Sequence, residues 1–272
     1  MSWSKLKTIV ILILLILNLF LLCLVAFLQF QSARYEASAL DQSLEVLEAL
    51  GIQLDASALP GTMDLPTLSV ARDTAREEEI AVLLAGSHSE QLVSFLNNGR
   101  FYATLAPSLP VAEGSSRSQQ TRELLQSLGI EIWQTTEQEN GTVYAVQSLN
   151  GIPVFTPDTV LTSAYNEDNQ MISVSGRLLL GEATEIPESR QPVSIPTVLL
   201  SFVNTMSEWM DVYQSIESIQ PAYLVKFVPT LNASIRLTPV WHIVTDTGAY
   251  CLDAYTAEVT RMTNLKGRPT SR

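Results

Sequence analysis

The hydrophobic pattern divides the chain before anything else does. From Ile9 to Leu28 twenty residues run with Asn18 as the only polar one, and no charge falls between Lys7 and Arg34. Twenty helical residues rise about 30 Å, the thickness of a bilayer's hydrocarbon core. The stretch therefore predicts a transmembrane helix over 8–29. A cleaved signal peptide is the competing reading, with Ala37-Ser38-Ala39 as a small-residue site, but its apolar region would run only about 7–15 residues. A lipoprotein signal is excluded, because Cys23 lies in mid-span behind Leu22. Lys5 and Lys7 precede the span and acids follow it, so the positive-inside rule puts residues 1–7 in the cytoplasm and the remainder outside.

Past the span the period changes. Leu40, Leu44 and Leu47 recur at helical spacing, Gly51 supplies a stop, and Ile52 can pack back on Leu47 as in a Schellman cap. Glu45 to Leu54 aligns with Glu123 to Ile132, five of ten positions being identical, which suggests two helix–glycine–strand units. Between them Met63–Val70 reads as extended. Thr74–Ala85 reads as a helix whose acidic first turn, Glu77-Glu78-Glu79, is a solvated start favoured by the macrodipole. Phe101–Leu105 reads as a strand. The polar run 113–118 sets a boundary, giving an N-terminal α+β subdomain over 34–113 and a C-terminal α+β region over 114–272.

The C-terminal region carries the clearest strand signals. Ile130–Thr136, Thr142–Leu149, Val154-Phe155, Val160–Tyr165 and Met171–Leu180 alternate with turns, and Asn150-Gly151 calls for a type I′ hairpin. Pro196–Val212 has apolar residues at three- and four-residue steps and reads as a packed helix. Ser218–Leu231 and Ile235–Thr238 look extended. A last hairpin joins Pro239–Thr245 to Ala249–Tyr255 through Asp246-Thr247-Gly248, with Gly248 available for a left-handed turn. The fold class is α+β: one transmembrane helix, then extracytoplasmic subdomains of helices on antiparallel sheet.

Charge and composition narrow the chemistry. The chain has 16 basic and 28 acidic residues, a net charge of −12, with no basic stripe for nucleic acid. Only Lys5 and Lys7 precede the span, so the outer part carries −14. Two histidines, His88 and His242, and two cysteines, Cys23 and Cys251, are too few for a metal cage or a disulfide framework. Cys251 is the only cysteine outside. His88 reads as loop. His242 reads as a surface or half-buried strand position, a possible cross-strand neighbour of Cys251, in a tight hairpin without evident oxyanion donors. No phosphate loop is present, and the sequons at Asn140 and Asn232 say nothing if the host is bacterial. No enzymatic activity and no cofactor are expected.

Two groups of residues resemble a known family. Trp3-Ser4-Lys5, Lys7-Thr8-Ile9 and Ile16 to Leu21, with Leu17-Asn18-Leu19-Phe20 inside, are similar to the opening of the YycI family. Asn150 to Phe155, Pro239 to His242 and Asp253 to Val259 resemble its C-terminal region. The last also resembles PepSY-type modules, with Ala257 where glycine is usual. The resemblance implies a single-pass extracytoplasmic regulator of an essential sensor histidine kinase of the YycG/WalK type, acting with a YycH-like co-regulator on cell-wall metabolism through contacts in the membrane. A PepSY-like inhibitor or chaperone of an extracellular protease is the alternative; a wall-associated hydrolase ranks last. The one candidate site residue is Asn18, whose amide would bond a partner's span inside the membrane.

Overall fold

The apolar stretch and the leucine-rich segment after it form one helix. A computed structural model describes residues 3–55, 59–86, 92–96, 100–156, 160–226 and 234–262. In it α1 runs unbroken over Trp3–Ala49. No glycine or proline occurs before Gly51, so nothing stops the helix at residue 29. It ends in the expected Schellman cap. Gly51 is left-handed (φ 75°), its N–H donates to Glu48 O at 2.9 Å, and Ile52 N–H donates to Leu47 O at 2.9 Å.

The second copy of that sequence builds the same cap. Helix α3 (Arg117–Ser127) leads to Gly129 at φ 74°, with Gly129 N–H donating to Gln126 O at 2.9 Å and Ile130 N–H to Leu125 O at 3.0 Å. At its start the Ser116 hydroxyl accepts from Gln119 N–H at 3.1 Å. Between the two caps lie β1 (Gln53–Leu54), β2 (Thr67–Val70), α2 (Thr74–Gly86), β3 (Leu92–Phe95) and β4 (Arg100–Pro110). The acidic turn of α2 is not uniformly solvated. Glu77 is buried, held by Arg72 through bonds of 2.8 and 2.7 Å.

After α3 come β5 (Ile132–Glu137), β6 (Val143–Leu149), β7 (Ile152–Phe155), β8 (Leu161–Tyr165), β9 (Gln170–Arg177) and β10 (Ala183–Ile186). Asn150 and Gly151 both take positive φ, 53° and 78°, as the type I′ turn requires. Helix α4 (Ile195–Trp209) stops short of Val212 because Met210 turns left-handed at φ 55°. The chain then forms β11 (Ser215–Lys226), β12 (Ile235–Thr245), β13 (Ala249–Asp253) and β14 (Val259–Arg261). The segments expected around Pro239 are one strand. Pro239 falls where β12 changes neighbour on one edge, after Leu237↔Leu68 of β2 and before Val240↔Asp253 of β13. The β12–β13 turn does not use a left-handed Gly248. Instead the Thr245 hydroxyl accepts from Thr247 and Gly248 N–H at 3.3 and 3.1 Å.

All these strands join one sheet, ordered β10-β2-β12-β11-β7-β6-β8-β9-β4-β3, with β1 beside β11, β13 and β14 beyond β12, and β5 beside β6. The pairing is antiparallel except where β1 and β7 meet β11. The protein is thus a mixed α+β protein with a large, mainly antiparallel sheet. Strand β4 pairs with β9 across the loop at 113–118.

Helices cover the sheet in two places. Residues of α2 and α3, Ile80, Leu84 and Leu125, pack with Phe101, Ala103, Leu161 and Val174. Leu47 of α1 and Val198, Leu199 and Phe202 of α4 pack with Ile219, Trp241, Ile243 and Leu252. On the opposite face of β12 and β13, Val146, Phe155 and Trp133 close over Val240, Ala249 and Cys251. That second layer is the seam between the two parts of the sheet.

Candidate functional site

Asn18 lies on α1, exposed, within a run whose described side chains, 11–27, are all exposed. Ile11, Leu22 and Phe27 show 63, 67 and 62% of their surface, and the apolar residues point to every side of the helix. Further along, the same helix changes character. Leu40 and Leu44 are half-buried against the α4 cluster, Leu47 is fully buried, and Ser43 bonds back to Leu40 O at 2.7 Å. One helix thus joins an apolar surface that none of the described residues covers to the protein core. Among the described residues no helix is long and apolar enough to cross a membrane. The described side chains at 11–27 account for about 26 Å of rise, against about 30 Å of hydrocarbon. The side chains of Trp3, Lys5 and Lys7 lie outside the described residues, as do the whole of His88, Asn232 and the tail from Lys266.

The second cluster lies in the seam. His242 and Cys251 are directly opposite each other on β12 and β13, the expected cross-strand neighbours. Neither is at the surface: His242 is 3% exposed and Cys251 0%. The half-buried position expected for His242 is corrected by the layer above it. Its ring stacks on Phe155 at 4.3 Å and meets the edge of Trp133 at 6.2 Å. Gln220, paired with it on β11, places its amide nitrogen 3.2 Å from Nδ1. With that nitrogen donating, Nδ1 accepts and the ring proton sits on Nε2, which has no partner among the described residues.

The electrostatics of this pair oppose nucleophilic chemistry. Burial pushes the imidazole down to about 4 and the thiol well above its ordinary range. A thiolate–imidazolium pair needs both shifts reversed, and no hydrogen bond joins the two groups. The alternating Val240-Trp241-His242-Ile243 did not mark His242 as buried, since its cover arrives from β5 and β7, about ninety to 110 residues upstream.

The closing motif Asp253 to Val259 has a structural role. Asp253 Oδ1 accepts from Tyr255 and Thr256 N–H at 2.9 and 3.0 Å, and Oδ2 accepts from Lys226 Nζ at 2.6 Å. Burial would raise this carboxyl; Lys226 and the two amides outweigh it and hold it below its ordinary value. Ala257 adopts φ 58°, and its N–H donates to Asp253 O at 2.9 Å. The turn expected of glycine is kept with alanine. No group of three or more His, Cys, Asp or Glu able to hold a metal occurs among the described residues.

No protein-family model matches the chain, and no curated protein is significantly similar to it. Among solved structures it is similar to an uncharacterized protein from Eubacterium rectale ATCC 33656, with 12% identity over 72% of this chain and 86% of that one and a TM-score of 0.46. It is also similar to the C-terminal domain of Bacillus megaterium YpeB, a PepSY-like fold, with 12% identity over 72% of this chain and all of that one and a TM-score of 0.35. At these scores neither likeness carries a functional argument.

Proposed function

We propose that the protein is a single-pass membrane regulator. Residues 8–29 cross the bilayer, 1–7 remain in the cytoplasm, and the α+β part stands outside. Its target is a sensor histidine kinase of the YycG/WalK type governing cell-wall metabolism, approached together with a YycH-like co-regulator. It acts without chemistry of its own, through contacts in the membrane and outside it. The observation that carries this reading is α1. Twenty apolar residues with a single amide continue, without a helix break, into the leucines that pack against α4. A helix of that kind links the position of the outer domain to whatever Asn18 touches. The N-terminal and C-terminal resemblances to the YycI family support the choice of partner.

Two substitutions test it. Asn18→Leu should leave the protein in carbonate-washed membranes while weakening association with the kinase's span about three- to thirtyfold, the equivalent of roughly 0.6–2 kcal/mol for an interhelical hydrogen bond. Replacing residues 9–28 with an unrelated apolar span should abolish the effect on the wall-stress response. Normal association and a normal response in both variants would reject regulation through the membrane. Copurification of a protease with the exchanged form would favour the protease-inhibitor reading instead.

A further inference from the structure

The sheet over α2 and α3 has a second face that no helix covers among the described residues. Its register aligns one row of residues across six strands: Ser94↔Tyr102↔Ser175↔Thr162↔Tyr144↔Thr136, from β3 through β4, β9, β8 and β6 to β5. Every position in that row carries a hydroxyl. The residues flanking it in sequence, Phe101, Ala103, Val174, Leu161 and Ala145, point into the core. The row's first five members line a groove of about 580 Å³. With strands about 4.8 Å apart, those five strands span roughly 19 Å.

Most of the hydroxyls are not consumed by the fold. The Thr162 hydroxyl donates to Val160 O at 3.2 Å and also lies 3.4 Å from both Ser175 O and Ser175 Oγ. The side-chain hydroxyls of Ser94, Tyr102 and Tyr144 make no hydrogen bond among the described residues, and Tyr102 is 48% exposed. Charge is scarce here in a chain with 28 acidic residues: among the described residues the groove is lined by no carboxylate and by one cation, Arg100. Leu96 is its one strongly exposed aliphatic side chain.

We propose that this groove binds a neutral oligosaccharide. Hydroxyls that both donate and accept match the hydroxyls of a sugar, and two separated tyrosine rings offer apolar faces to its C–H surfaces. A single arginine cannot neutralise a polyanion, and the described lining offers no carboxylate to attract a cation. A protein partner would need a larger apolar centre than Leu96 supplies. The site lies away from Asn18 and does not depend on the membrane reading.

The test titrates chitotetraose and maltotetraose into the full chain, held in a zwitterionic detergent without sugar headgroups, by calorimetry. Saturable binding of at least one is expected. Tyr102→Ala and Tyr144→Ala should each weaken it at least tenfold. Tyr102→Phe, which keeps the ring, should cost less, and Tyr255→Ala, outside the groove, should change nothing. Melting curves of each variant report folding separately. No saturable binding of either sugar, binding insensitive to both alanine variants, or occupation of this face by a protein alone in crosslinking would overturn the proposal.

Discussion

Strands β4 and β12 have the same length, eleven residues, and opposite surroundings. Along Arg100–Leu105 of β4 the side chains alternate, one toward α2 and α3 and the next toward solvent. Along Leu237–Ile243 of β12 every residue is buried: α1 and α4 cover Trp241 and Ile243, the seam covers Val240 and His242, and Leu237 packs with Leu68, Val70 and Val154. A strand covered once can leave its outer face polar, as the hydroxyl row does. A strand covered twice strips water from every polar group it carries, and on β12 Thr238 Oγ1, Trp241 Nε1 and His242 Nε2 are buried without a partner among the described residues. His242 shows the effect on charge: burial keeps it neutral, and its one hydrogen bond goes to Gln220.

The sharpest way to break this contrast is alanine substitution in both strands. Phe101→Ala and Trp241→Ala should each destabilise by about 3–5 kcal/mol, since each deletes a buried aromatic. Their neighbours should separate the strands: Tyr102→Ala should cost under about 1 kcal/mol, whereas Val240→Ala should cost about 1–3 kcal/mol. Urea midpoints at constant slope would show it, and equal effects at Tyr102 and Val240 would remove the distinction.

Acid should act on the doubly covered region. An unfolded imidazole takes up its proton as pH falls through its ordinary 6.5, but the buried one does so only near 4. Stability should therefore be full above 6.5, fall through that window by about 3 kcal/mol, and then level off as far as His242 is concerned. Asp253, held below its ordinary value, adds its loss only at lower pH. Melting His242→Phe at pH 7 and pH 4 checks this. The variant should lose most of the slope between them, and an unchanged slope would assign it elsewhere.

The two caps give a smaller contrast. Gly51→Ala places a Cβ in open space at φ 75° and should cost about 1 kcal/mol. At Gly129 the added carbon meets the Arg76 guanidinium, which bonds Leu128 O at 3.0 Å, so Gly129→Ala should cost about 2 kcal/mol. The smallest effect has the opposite sign. Ala257→Gly relieves a left-handed alanine and should stabilise by up to about 1 kcal/mol, read as a small rise in melting temperature.

Much of this architecture is local and was legible in the sequence. Both caps, the Asn150-Gly151 hairpin and the His242–Cys251 pairing follow from residues within a few positions of one another. Strands β3 and β10 escaped the reading, being four residues each and paired with partners fixed by the whole sheet. Glu77 escaped because its partner Arg72 precedes the helix. The burial of His242 and the hydroxyl row escaped for a common reason. Each depends on the register of strands far apart in sequence, and single strands carry no trace of it.

The unbroken course of α1 also fixes a direction. An ideal helix turns about 100° per residue, so the 29 steps from Asn18 to Leu47 amount to eight turns and about 20° more. Asn18 therefore faces nearly the same side of the helix as Leu47, about 44 Å along the axis. The amide is in phase with the stripe that docks on α4, not with its back. A partner helix meeting Asn18 would stand beneath that packed flank. Inserting one residue between 30 and 38 would swing the amide by about 100°, whereas seven would return it to within about 20°. Azimuth, more than distance, would then govern whether the two ends of this helix address the same neighbour.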